Sequence, residues 1–189
     1  MTPYEAVCLK GKYSPWGKID QSKAVAEGIT QVSTAGHGGL KLDRKRNSLI
    51  PVIFRKEGGW YEEDCEWAIV ALFFPNAFSE DDRHIAVKTI KDCYPDQFEK
   101  HFNVCIPTGD SYEKDKRQFA QQCYDKFVVT SAWGDWHHNV PKGMVGVYAR
   151  KDSTNERKYF LVTASEYADR NHFGFVVNEN VHQEIAPLN

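Results

Sequence analysis

The sequence predicts a mixed α+β fold, and three observations predict it. Apolar residues recur at helical spacing through the first two-thirds of the chain, whereas alternation and turn residues dominate after Phe127. Helices first and strands last argue for segregated elements rather than alternating βαβ units. The 189 residues are 41% hydrophobic and 13% aromatic, enough to fill a core and to set the disordered class aside. The expected arrangement is a helical N-terminal two-thirds packed on a C-terminal antiparallel sheet. The length suits a single domain over residues 1–189, without an internal repeat or a low-complexity linker.

In order along the chain, Asp20 is placed to cap a short helix over residues 21–27, with Gly28 at its C-terminal end. Residues 29–33 alternate apolar and polar and read as a strand. Gly36-His37-Gly38-Gly39 reads as a turn, its glycines admitting positive φ. Asp43 caps a helix that ends before Pro51. Residues 60–74 read as one buried helix, with Glu62, Glu63 and Asp64 in a first turn that favours carboxylates and Pro75 as its stop. A buried strand over residues 68–74 is the rival reading of that apolar run.

Ser79 and Asp82 form a capping-box pattern for a helix through Tyr94, with Ala86, Ile90 and Cys93 on one stripe. Pro95 opens another helix with Phe98 and Phe102 one turn apart, and Asp110 with Glu113 opens a third that ends near Tyr124. Strands are expected over residues 127–133, 144–149, 158–164 and 174–177, joined as an antiparallel meander.

The formal charge of −2 lacks the basic excess of a protein that neutralises many phosphates, so net charge does not support a nucleic-acid partner. The one dense basic stretch, residues 41–46, reads as a solvated helix face. The longest apolar run, Trp67 to Phe74, is far short of the ~20 residues that span a bilayer, and no signal peptide is visible, so a membrane role is not expected. Five widely spaced cysteines without a C-x-x-C pair fit free thiols in a reducing cytoplasm.

Three segments can carry chemistry. In the first, Ser33, Thr34, Gly36, Gly38 and Gly39 surround His37. Such a loop can hold an anion on its N–H groups, and the imidazole can act as base or ligand. It is neither a phosphate-binding P-loop nor a dinucleotide fingerprint, and a structural turn explains it as well. In the second, Glu62, Glu63, Asp64 and Glu66 crowd together. His37, Glu62 and Glu66 are candidate ligands for a divalent cation; Glu62, Glu63 and Asp64 are candidate acid–base groups. Favourable placement at a helix start is the alternative. Cys65 as a nucleophile with His37 as base is disfavoured by the adjacent carboxylates. In the third, Trp133 and Trp136 flank Gly134-Asp135 and precede His137-His138. Asp135 and His137 would share a strand face, and the two tryptophans suit a binding surface. His84, His101, His172 and His182 stand alone.

The runs 33–39 (Ser-Thr-Ala-Gly-His-Gly-Gly), 46–51 (Arg-Asn-Ser-Leu-Ile-Pro) and 59–67 (Gly-Trp-Tyr-Glu-Glu-Asp-Cys-Glu-Trp) resemble an uncharacterised domain-of-unknown-function family found in proteins of bacteriophages and plasmids. Tyr94-Pro95-Asp96 and the segment from Phe160 to Phe175 are similar as well. The resemblance implies context: an accessory protein in the bacterial cytoplasm that counters host defence or redirects a host process, with a host or defence-system protein as partner. It carries no catalytic residues over. The residues themselves keep two other readings open: a metal-assisted hydrolase or nucleotide-processing enzyme using His37 and the carboxylates, and a structural or assembly protein.

Overall fold

The structure, a computed structural model, describes residues 9–188. It is a mixed α+β protein of helices and antiparallel sheets, and the chain divides into two compact units, Met1–Lys114 and Asp115–Asn189.

In the N-terminal unit a two-stranded ribbon, β1 (Tyr13–Ser14) and β2 (Gly17–Lys18), precedes a four-stranded antiparallel meander: β3 (Gln21–Ala26), β4 (Ile29–Ser33), β5 (Gly38–Leu42) and β6 (Trp60–Glu62). The helices are α1 (Arg44–Leu49), α2 (Trp67–Phe73), α3 (Glu80–Cys93) and α4 (Pro95–Phe102), and α5 (Tyr112–Gln122) runs across the division between the units. Local signals account for several of these. Asp43 accepts the Arg46 N–H and caps α1, and Ser79 with Asp82 forms the reciprocal capping box of α3. Asn103 closes α4 in the left-handed conformation (φ +52°).

The core joins sheet to helices. Leu40, Leu42, Tyr61 and Ile29 from the strands pack with Ala68, Ile69 and Val70 of α2 and Ala86 and Ile90 of α3, all at most 5% exposed. Burying such side chains contributes about 1.5–3 kcal/mol apiece relative to exposure.

Four expectations are corrected here. The helix expected over residues 21–27 is strand instead: residues 21–26 pair with β4 through a tight turn of Glu27 and Gly28, in which Gly28 takes φ +70°. Cross-strand pairing, invisible to local spacing, outweighs the weak helical pattern. The helix expected over 60–74 begins only at Trp67, because Trp60–Glu62 adds to the edge of β5. The carboxylates therefore lie in the connecting turn, and no acidic residue occupies the first turn of α2. In the third correction, Ser111 rather than Asp110 begins α5: its hydroxyl accepts the Lys114 N–H at 3.4 Å and donates to the Lys91 carbonyl at 2.6 Å.

The C-terminal unit holds the sheet β7 (Phe127–Trp133), β8 (Met144–Lys151), β9 (Glu156–Thr163) and β10 (Gln183–Ile185), in the order β10-β9-β8-β7. A short α6 (Ala164–Ala168) follows β9, capped by a Thr163–Glu166 box. The fourth correction is that residues 174–177 form no full strand. They run beside β7 through one Val128–Val176 bridge and two flanking hydrogen bonds, Val129 N to Phe175 O and Val177 N to Phe127 O. Phe127, Val147, Ala149, Phe160 and Val162 form this unit's core. Among the described residues no helix is long and apolar enough to cross a membrane.

Candidate functional site

The site grows from one end of the N-terminal meander. The turn between β4 and β5 is closed by Thr34, whose N–H and hydroxyl both donate to the His37 carbonyl, at 2.7 and 2.9 Å. The His37 N–H donates back to Thr34 Oγ1 at 3.2 Å. With its backbone held three ways, His37 presents an exposed imidazole at the sheet's end. Ser33 pairs with Gly38 across the same hairpin.

Gly38 and Gly39 belong to β5, and none of Gly36, Gly38 and Gly39 has positive φ. Close approach accounts for the two strand glycines instead. A β-carbon on Gly38 would meet Glu63 Oε2, and one on Gly39 would stand 2.5 Å from the Trp16 ring and 2.3 Å from the Tyr61 carbonyl. The paired N–H groups make this a closed hairpin, not the open row that an anion cradle requires.

Glu62 ends β6 opposite Gly39, and the Glu63 N–H donates to the Gly38 carbonyl at 3.2 Å. Glu62 is the last residue of β6, and Glu63 opens the turn that leads to α2. One ligand atom each of His37, Glu62 and Glu63 lies within 4.8 Å of the others. Glu62 Oε2 accepts the Asp64 N–H at 2.8 Å, but Glu62 Oε1 is buried without a hydrogen-bond partner. An unsatisfied buried carboxylate oxygen is costly, and a cation is a natural partner for it. One imidazole and two carboxylates suit Mn²⁺ or Zn²⁺ and tolerate Mg²⁺.

Asp64 and Glu66 stand outside this group. Glu66 is committed elsewhere: one oxygen accepts the Glu62 N–H at 3.1 Å and the other pairs with Lys56. Glu66 therefore holds the turn in shape, and Lys56, 10 positions earlier with nothing in its local pattern to mark it, partners it. Lys56 also lies over the Tyr94 ring, whose phenol is pushed up by burial and then by the Glu66 charge. Beneath the site Tyr61 is fully buried. Its hydroxyl donates to Asn47 Oδ1 at 2.7 Å and accepts the Lys56 N–H at 3.3 Å, and burial raises its pKa. Trp16, which fills the space over Gly39 and meets Trp60 edge-on, also escaped the sequence reading, since nothing local ties residue 16 to the site.

Glu63 also borders a cleft of about 550 Å³ shared with Lys23, Gln31, Trp67, Phe78 and Asp82. Its size falls within the range of small-molecule pockets.

The third segment belongs to the C-terminal unit. β7 ends at Trp133, so Gly134 to Val140 is a turn and not the strand on which Asp135 and His137 would share a face. Asp135 Oδ2 accepts the Gly143 N–H, His137 Nδ1 accepts the Asn139 N–H, and the His137 and His138 rings stack at 4.6 Å. Trp133 is half-buried against Tyr159, whereas Trp136 is 76% exposed.

Comparison with known proteins finds one family, described as a domain of unknown function (DUF7007), whose model matches residues 10–124. The match takes in the His37 hairpin and the carboxylate turn and stops short of the similar-looking segment around residues 160–175. No curated protein matches the chain. No solved structure matches it either. With more than half of its length covered, the chain belongs to the DUF7007 family.

Proposed function

We propose that this protein binds a divalent cation through His37, Glu62 and Glu63 and uses it in metal-assisted hydrolysis or processing of a phosphate-bearing, nucleotide-like substrate. The reading is carried by one ligand atom each of His37, Glu62 and Glu63, all within 4.8 Å of one another, on a Glu62 carboxylate whose Oε1 is buried without a protein partner. A cation there would supply Lewis acidity and a place to activate water. His37 and Glu63 are exposed, which leaves the outer side of the site open to solvent and substrate. The adjoining cleft supports a small-molecule substrate: Lys23 is exposed and outside every ion pair of the described residues, and Trp67 and Phe78 offer apolar walls. The Glu63 and Asp82 carboxylates would repel an anion, so binding of a phosphate there depends on the cation.

The test is turnover of an activated phosphodiester, bis(p-nitrophenyl) phosphate, by chelator-stripped protein with and without added Mn²⁺. Turnover should require the ion and fall by about 100-fold or more in Glu62→Gln and His37→Ala. Turnover that ignores both the ion and the substitutions would remove the reading.

Exposed Trp136 supports a second reading, that of a phage- or plasmid-encoded accessory protein acting in the bacterial cytoplasm on a host or defence-system protein. An aromatic anchor at the centre of an interface is a common hot spot. Retention of a specific host protein by the wild type, lost in Trp136→Ala, is the outcome it requires.

A further inference from the structure

Two half-buried cysteines face each other within the N-terminal unit. Cys65 lies in the turn between β6 and α2, and Cys93 is the last residue of α3. Their Sγ atoms are 2.9 Å apart across 28 positions of sequence, and both are free thiols. This is nearer than two thiols rest in ordinary van der Waals contact; a disulfide needs about 2.05 Å. The two backbones are not free to drift apart, because α2 and α3 share the core through Ala68, Ile69, Ala86 and Ile90. Side-chain rotation is the motion left for the pair to close.

We propose that Cys65 and Cys93 form an oxidation site, closed to an intramolecular cystine by a low-molecular-weight disulfide of the glutathione type. The Cys65 sulfur attacks one sulfur of the small disulfide; the old S–S bond breaks, and one small thiol leaves with the Cys65 proton. The Cys93 sulfur then attacks Cys65 Sγ, and the second small thiol leaves with the Cys93 proton. Two protein thiols are oxidised by two electrons, and one small disulfide is reduced to two thiols. Burial, together with the adjacent Cys65, pushes the Cys93 thiol up to about 12, which disfavours it for the first attack. The cystine would staple the carboxylate-bearing turn to the end of α3. The inference is independent of the cation reading, since the thiol contact exists whether or not an ion binds.

The experiment incubates the full chain with oxidised glutathione, alkylates the remaining thiols and maps peptides without reduction. The expected product is a Cys65–Cys93 linked peptide with the loss of two hydrogens, and a Tm raised by about 5–10 °C that dithiothreitol reverses. Cys93→Ser should stop at a glutathione adduct on Cys65 and show no such rise. Exposed Cys105 serves as the internal control for reagent access. Wild-type protein that carries glutathione on Cys65 without the linked peptide, or that reacts at Cys105 while Cys65 and Cys93 stay free, overturns the proposal. Because the wild-type map alone decides, a variant that fails to fold leaves the outcome intact.

Discussion

The Glu63 carboxylate lies where a β-carbon on Gly38 would have to go: a methyl placed there would stand 2.4 Å from Glu63 Oε2 and 3.0 Å from the Val32 carbonyl. A strand glycine and a carboxylate one strand over thus interlock, and the interlock aims Glu63 at His37 and Glu62. Gly38→Ala has an allowed backbone conformation but must push the carboxylate aside. It should cost about 1–3 kcal/mol of stability by overpacking and weaken Mn²⁺ binding by about 10–100-fold, as displaced supporting contacts do. Isothermal titration on a variant shown to be folded by circular dichroism checks this. Unchanged affinity would mean that Glu63 is no ligand.

Tyr61 joins the sheet to α1 and to the loop that follows it through two hydrogen bonds, to Asn47 Oδ1 and from the Lys56 N–H. Tyr61→Phe keeps the ring and deletes both, leaving a part-buried amide group and N–H without their partner. Urea unfolding should show a loss of about 1–3 kcal/mol. A loss near zero would mean that water replaces the hydroxyl freely.

Acid should loosen the segment before α5. Glu99 accepts from Lys114 and from the Ile106 N–H, and these bonds, the Lys114 one first, hold its carboxyl below the usual range. A carboxylate with a lowered native pKa stabilises the fold above its unfolded value and loses that contribution as pH falls through the native one. Thermal unfolding followed from pH ~7 down to ~3 should therefore show an acid limb that is shallower in Glu99→Gln. Parallel curves for the two proteins would contradict the assignment.

Trp136 is too exposed to matter for folding. Trp136→Ala should change unfolding free energy by no more than about 0.5 kcal/mol, as surface changes do. A larger loss would mean that the ring packs where the structure leaves it in solvent, and would withdraw it as a partner anchor.

Parts of this molecule are legible in its sequence, and the reason is range. Asp43 and the Ser79–Asp82 box cap helices within three residues, so their pattern is local and the structure keeps it. The helix start at Pro95 and the three strands expected over residues 127–133, 144–149 and 158–164 read nearly as well. Strands β3 and β6 do not. Each is short, lacks a clean apolar alternation, and owes its conformation to a partner strand. The same holds at the site. His37 and the carboxylates stand out as residue types, but the role of Gly38 in seating Glu63, the commitment of Glu66 to Lys56 and the cover of Trp16 over Gly39 all depend on contacts between distant segments. The spacing of Cys65 and Cys93 likewise announces nothing until α3 folds back against α2.

On the proposed reading one nitrogen and two carboxylates converge on one ion, and pulsed electron paramagnetic resonance of Mn²⁺ bound to the intact chain tests that most directly. The expected spectrum carries a directly bound imidazole nitrogen coupling that disappears in His37→Gln, while Glu62→Gln sharply weakens loading. Protein that binds no Mn²⁺, or binds it with the nitrogen coupling unchanged in His37→Gln, would contradict the cation site.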